Sequence, residues 1–183
     1  MTPDALHPLL PAMAARAAAL DQAAVFPTED VAALVGTGFA RAPLPASLGG
    51  TGLGTRPDDA GAIAGVLRLL GGANSTPGRL FEAHVNALRL ILRVDTPAQV
   101  AACAVDRGAG HLFGLWAADG TMPLRRSGGR LSGAKGPCSG AGHFRQALVT
   151  VTVGGAASLA ILHLQGTEPV DASAPGCWAC VPA

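Results

Sequence analysis

The apolar residues of this chain change their spacing once, near residue 110, and that change constrains the fold more than any motif does. Before it they recur at helical intervals. Ala12–Ala24 places Met13, Ala17, Leu20 and Ala24 on one face. Thr28 is positioned to cap a second helix that ends near Gly36–Gly38. The stretch APLPASLGGTGLGTRP (Ala42–Pro57) is too rich in proline and glycine for regular structure. A third helix is predicted over Asp58–Leu70, with Ile63, Val66, Leu67 and Leu70 as its stripe and Asp58-Asp59 at its positive end. Thr76-Pro77 reads as a cap and first-turn proline opening Gly78–Arg93. Thr96-Pro97-Ala98-Gln99 reads as a capping box for a helix running to about Asp106 and stopping at Gly108.

After Gly110 the apolar residues come in short runs. His111–Ala117 is compact, and Arg130–Ser132 resumes after a turn. Gln146–Val153 and Ala157–Leu164 read as strands around Gly154-Gly155. Helices first and strands second make an α+β chain, not alternating βαβ units, and there is no internal repeat.

Composition narrows the function classes. At 183 residues the chain is one medium domain or two small ones, long enough to hide about 70% of its unfolded surface. Hydrophobic residues make up 49% and charged residues 14%, against an ordinary charged share of about 25%. Such a chain is not disordered, and its thinly charged surface points to faces that something else covers. A net charge of +1 offers no excess to grip a phosphate backbone, so nucleic acid is not an expected partner. Twelve of the thirteen basic residues are Arg and Tyr is absent, as a GC-rich gene would give; Lys135 is the one lysine.

No basic segment precedes an apolar run at the N-terminus, and the best membrane candidate, Ala147–Leu164, is broken by the glycine pair, so no span and a cytoplasmic location are expected. Cys103, Cys138, Cys177 and Cys180 are then expected as free thiols. Cys177-Trp-Ala-Cys180 lacks both the strand-and-helix setting of a redox pair and the second ligand pair of a zinc site. Gly49-Gly50-Thr51-Gly52-Leu53-Gly54 lacks the Lys-Ser/Thr ending of a phosphate loop and reads as a turn. His84 reads as a half-buried helix residue with a backbone partner, and Cys138 as a packed thiol.

Several landmarks, in order, resemble the acyl-CoA dehydrogenase family. They are Phe26-Pro27 before a helix; Pro45-Ala-Ser-Leu-Gly49-Gly50-Thr-Gly52-Leu53-Gly54, like that family's P-x-x-x-G-G-x-G; Asp95-Thr96-Pro97-Ala98-Gln99, like its G-T-x-x-Q; and Leu131-Ser132-Gly133-Ala134-Lys135, like its L-N-G-x-K. The resemblance spans residues 12–174. It implies an N-terminal helical bundle over residues 1–109, followed by a small, incomplete antiparallel β-barrel domain over 110–183. It further implies FAD as cofactor, an acyl-CoA-like thioester as substrate, an electron-transfer acceptor and a homo-oligomer. In this family a carboxylate takes the α-proton while the flavin takes the β-hydride.

By the same resemblance, Ser139 stands in the slot of the flavin-contacting hydroxyl, and backbone groups around Trp116, Ala117 and Ala118 line the ring. Lys135 becomes a structural barrel residue. His143 is either a solvent-facing loop residue or a flavin contact, and Arg125, Arg126 and Arg130 are either a solvated hairpin or a pyrophosphate contact.

The departures are specific. The stretch Ala117–Pro123 has no G-S-D, and Pro137 replaces the usual aromatic after the lysine. The family's catalytic carboxylate lies in a C-terminal helical bundle, so no catalytic residue is assigned in these 183 residues. The expectation is a truncated relative, inactive alone, whose residues after about 174 are out of frame. The alternative is a non-catalytic binding or assembly module completed by a partner chain.

Overall fold

The computed structural model describes residues 3–106, 111–120, 122–164, 170–171 and 178–181. Two compact units divide the chain, Met1–Leu112 and Phe113–Ala183.

Among the described residues the first unit holds five α-helices: α1 (Leu10–Ala23), α2 (Thr28–Gly36), α3 (Ala60–Ala73), α4 (Ser75–Val94) and α5 (Pro97–Asp106). Its centre is α4. Leu80, Phe81, Ala83, His84, Val85, Ala87, Leu88 and Ile91 of that helix are all buried, more than half a turn of surface, as a helix enclosed by its neighbours requires. Phe39 meets Phe81 edge to face, with centroids 5.8 Å apart at 80°. A Cβ on Gly78 would stand 3.1 Å from the Gly71 backbone, so α3 and α4 approach closely where both carry glycine.

Two of the expected helix caps do not form. Thr28 is the first residue of α2, and its hydroxyl reaches back to the Phe26 carbonyl instead of capping. Helix α4 begins at Ser75, capped by Asn74, whose Oδ1 accepts from the Thr76 amide at 3.1 Å. Asn74 is an equally good cap and sits two residues earlier. At α5 the capping box forms as expected: the Thr96 amide donates to Gln99 Oε1 at 2.9 Å, and the Gln99 amide donates to Thr96 Oγ1 at 3.3 Å.

Among the described residues the second unit is one mixed sheet of seven strands: β1 (Phe113–Trp116), β2 (Arg125–Ser127), β3 (Arg130–Lys135), β4 (Gln146–Val153), β5 (Ala156–His163), β6 (Val170–Asp171) and β7 (Trp178–Val181). Strand β4 is central. It pairs with β5 across its whole length, from Gln146↔His163 to Val153↔Ala156, through a turn in which Gly154 and Gly155 have φ of 57° and 86°. This hairpin is the apolar run 147–164, and no helix among the described residues is long and apolar enough to cross a membrane.

The order of elements is α+β, as expected, and the path does not close into a barrel among the described strands. The sheet departs from a purely antiparallel one in two pairings: β1 and β2 both run parallel to β4. The cause lies in the connection: β1 reaches β4 through a long excursion that contains β2 and β3, and only long connections permit parallel pairing. Strand β7 lies in the tail expected to be out of frame, and it pairs antiparallel with β3, Gly133↔Val181 to Lys135↔Ala179. Trp116, Leu124, Cys138, Ala141, Ala147, Val149 and Val151 form the core of this unit.

Candidate functional site

The residues singled out by the resemblance converge at one end of β1 and β3. Strand β1 finishes at Trp116, which is buried in the core, and Ala117 and Ala118 continue beyond it as exposed residues. Strand β3 finishes at Lys135 and leads into the loop that carries Ser139. Buried Cys138 and Ala141 anchor that loop on either side, leaving Ser139 half-buried between them. Gly140 has φ of 75°, and a Cβ there would overlap the Phe144 ring, so the loop folds down onto that ring only with glycine at this point.

The indole Nε1 of Trp116 donates to the Ser139 carbonyl at 3.2 Å. Trp116 and Ser139, 23 residues apart in sequence, are thus joined directly. With its backbone held, the Ser139 hydroxyl has no hydrogen-bond partner among the described residues. A half-buried hydroxyl on a fixed backbone is a donor available to a ligand, which fits a hydrogen bond to the edge of a flavin ring.

The carbonyls of Ala117 and Ala118 are not available in the same way. Ala117 O accepts from Thr150 Oγ1 at 2.7 Å and from Lys135 Nζ at 3.4 Å. Ala118 O accepts from the Gly136 amide at 3.2 Å. Ala117 O thus has both its lone pairs taken and Ala118 O one of its two, so the fold already draws on both carbonyls.

Lys135 is 1% exposed and its ammonium is fully engaged. It pairs with Asp119 and donates to Thr150 Oγ1 at 2.5 Å as well as to Ala117 O. Sequence reasoning gave Lys135 a structural place but missed Asp119 and Thr150. The only signal was the rarity of lysine in an arginine-rich chain, since neither an aspartate in a turn nor a threonine in a strand stands out.

The remaining candidates fall outside this cluster. The amides of Gly50, Thr51, Gly52 and Leu53 donate to the carbonyls of Pro45, Ala42, Leu44 and Ala42, so the glycine-rich stretch is a self-satisfied turn with no cradle of amides for phosphate. His84 is fully buried, with Nε2 2.8 Å from Ala40 O. His143 is an exposed residue of the turn after Gly140. Arg125, Arg126 and Arg130 lie on the exposed β2–β3 hairpin, and Arg125 borders a groove of about 310 Å³ with Met122, Pro123, Ser132 and Gly133. Cys177 lies outside the described residues, as do the side chains of Cys103 and Cys180. No group of three or more potential metal ligands occurs among the described residues.

No family model matches this sequence, and no curated protein does. Solved structures do. Indole-bound TdsC from Paenibacillus sp. A11-2, a dibenzothiophene monooxygenase, superposes with a TM-score of 0.81 at 14% identity, over 97% of this chain and 49% of its own. A nitrososynthase from Micromonospora carbonacea var. africana gives 0.76 at 23% identity, over 98% and 52%. The methanesulfinate monooxygenase MsuC from Pseudomonas fluorescens gives 0.73 at 19% identity, over 92% and 44%. This chain has the fold of part of these proteins. It spans about half their length.

Proposed function

We propose that this chain is the flavin-binding part of a flavin-dependent oxidoreductase, and that FMN is its cofactor. The observation that carries the reading is the Trp116–Ser139 contact, which holds a half-buried hydroxyl, unpartnered among the described residues, where the resemblance expects a flavin contact. TdsC has been solved with FMN bound, which favours FMN over the FAD of the sequence expectation. A bound flavin supplies the redox chemistry, and the protein supplies orientation. In this chain Ser139 would hold the ring edge by hydrogen bonding, while Ala117 and Ala118 would lie along the ring by contact and not through their occupied carbonyls.

The reaction we favour is monooxygenation of a small substrate, because two of the three similar structures are named monooxygenases. The second reading is FAD-dependent dehydrogenation of an acyl thioester. It rests on the run of sequence motifs from Pro45 to Lys135.

The test is a titration of the purified chain with FMN and with FAD, followed by flavin fluorescence and visible absorption. Binding of FMN in preference to FAD, weakened by Ser139→Ala, supports the proposal. Preference for FAD, with a spectral change on adding a CoA thioester, favours the second reading. A folded chain that binds neither flavin overturns both.

A further inference from the structure

We infer that Lys135 is a positioning residue for the flavin, acting through Ala117–Asp119 and never touching the ring; the inference rests on the flavin reading above. Its ammonium is enclosed, and its three donors meet three acceptors on two segments: the Ala117 carbonyl and Asp119 carboxylate of the stretch after β1, and the Thr150 hydroxyl of β4. The Thr150 hydroxyl passes the arrangement on, accepting from Lys135 and donating to Ala117 O at 2.7 Å. Asp119 also bridges the Lys135 backbone as an isolated antiparallel β-bridge. The stretch that leaves β1 toward the site is therefore held at its carbonyl by two donors and at its carboxylate by one.

The chemistry accounts for lysine here in a chain that otherwise uses arginine. An ammonium presents its donors around a single atom, so acceptors on three sides can be met at once. A planar guanidinium spreads its donors along a fork and is much larger, so it fits neither the geometry nor the enclosure. Asp119 is 49% exposed on its other side, which puts this partner, and not Lys135, at the surface of the site.

The experiment compares the wild-type chain with Lys135→Met, Lys135→Arg and Thr150→Val, and with Leu162→Ala as a control. Leu162 packs against the core of the same unit and faces Ala147 of β4, three residues before Thr150, so its truncation lowers stability without removing a hydrogen bond of the cluster. Three readouts are taken: FMN affinity, the visible spectrum of bound FMN, and thermal stability. Because Lys135 is the one lysine, acylation by an amine-reactive reagent also reports its enclosure, with the N-terminal amine as internal standard. Lys135→Met and Thr150→Val are expected to weaken FMN by about tenfold or more and to shift the bound spectrum, with no rescue by Lys135→Arg. Leu162→Ala is expected to melt earlier while binding FMN like wild type, and native Lys135 to acylate far more slowly than the denatured chain. Lys135→Met binding FMN as tightly as wild type, or an affinity loss in Leu162→Ala of the same size, overturns the positioning role. A wild-type chain that binds no flavin, with Lys135 still protected, overturns the flavin reading instead.

Discussion

Trp116 holds Ser139 by its backbone: the indole donates to the Ser139 carbonyl at 3.2 Å, and the serine hydroxyl has no partner among the described residues. The two residues therefore separate into a support and a contact, and their variants should differ. Trp116→Phe removes one hydrogen bond and part of a buried ring, at a cost of about 1–3 kcal/mol in stability, and frees the loop. Ser139→Ala removes only the half-buried hydroxyl and should leave stability within about 0.5 kcal/mol. Both should weaken FMN binding. Urea unfolding alongside FMN titration checks the split, and equal loss of stability in the two variants would contradict it.

Glycine has two different roles in the helical unit, and alanine substitution tells them apart. A Cβ on Gly50 would overlap the Leu44 carbonyl and stand 2.5 Å from the Arg41 carbonyl, and both are backbone atoms with nowhere to go. Gly50→Ala should cost about 3 kcal/mol or more, because the Ala42–Leu53 turn must open. Gly61, in α3, has nothing within 4 Å of its virtual Cβ. Gly61→Ala should stabilise by roughly 0.5–1 kcal/mol through helix propensity. Thermal melts of the two variants read opposite signs.

Asp30 is the buried charge of the helical unit. Arg16 Nε donates to its Oδ1 at 3.0 Å, Asn74 Nδ2 donates to its Oδ2 at 2.9 Å, and Asn74 in turn caps α4. One carboxylate thus joins α1, α2 and the start of α4. Asp30→Ala leaves both partners without it and should destabilise by about 3–5 kcal/mol. Asn74→Ala should cost about 1–3 kcal/mol from the lost cap and the Asp30 bond. Since the two share a bond, the double variant should lose less than the sum of the singles.

How much of this could be read in the sequence follows from how local each cause is. The strands Gln146–Val153 and Ala156–His163 were legible because alternation and a glycine pair are written side by side. The Thr96–Gln99 box was legible because both halves lie within one turn. The start of α4 was misplaced by two good caps in succession, Asn74 and Thr76, whose choice depends on Asn74 reaching Asp30, 44 residues away. Parallel pairing of β1 and β2 with β4 has no local signature at all, since it is set by the path of a long connection. At the candidate site, the resemblance singled out Trp116, Ser139 and Lys135, and the structure joins the first two and buries the third. Asp119 and Thr150 became visible only once folding brought them to the ammonium.

Acid should loosen the entrance to α3. Asp59 precedes that helix, and Arg56 grips it with both arms, Nε to Oδ2 at 3.0 Å and Nη2 to Oδ1 at 2.9 Å. Hydrogen bonding from Arg56, aided by its charge and opposed by partial burial, lowers the Asp59 carboxyl below its ordinary 3.8. A carboxyl lowered on folding stabilises the native state above the ordinary value, and this contribution is lost as pH falls through the lowered one. The wild type should therefore lose stability at the α3 entrance below pH 3.8, as Asp59 takes up a proton and releases Arg56. Arg56→Ala should return the Asp59 titration toward 3.8 and remove that part of the acid dependence. Carboxyl-carbon NMR titration of Asp59, with melts over the same pH range, checks both. An Asp59 that titrates at its ordinary value in the wild type would show that the Arg56 grip does not persist in solution.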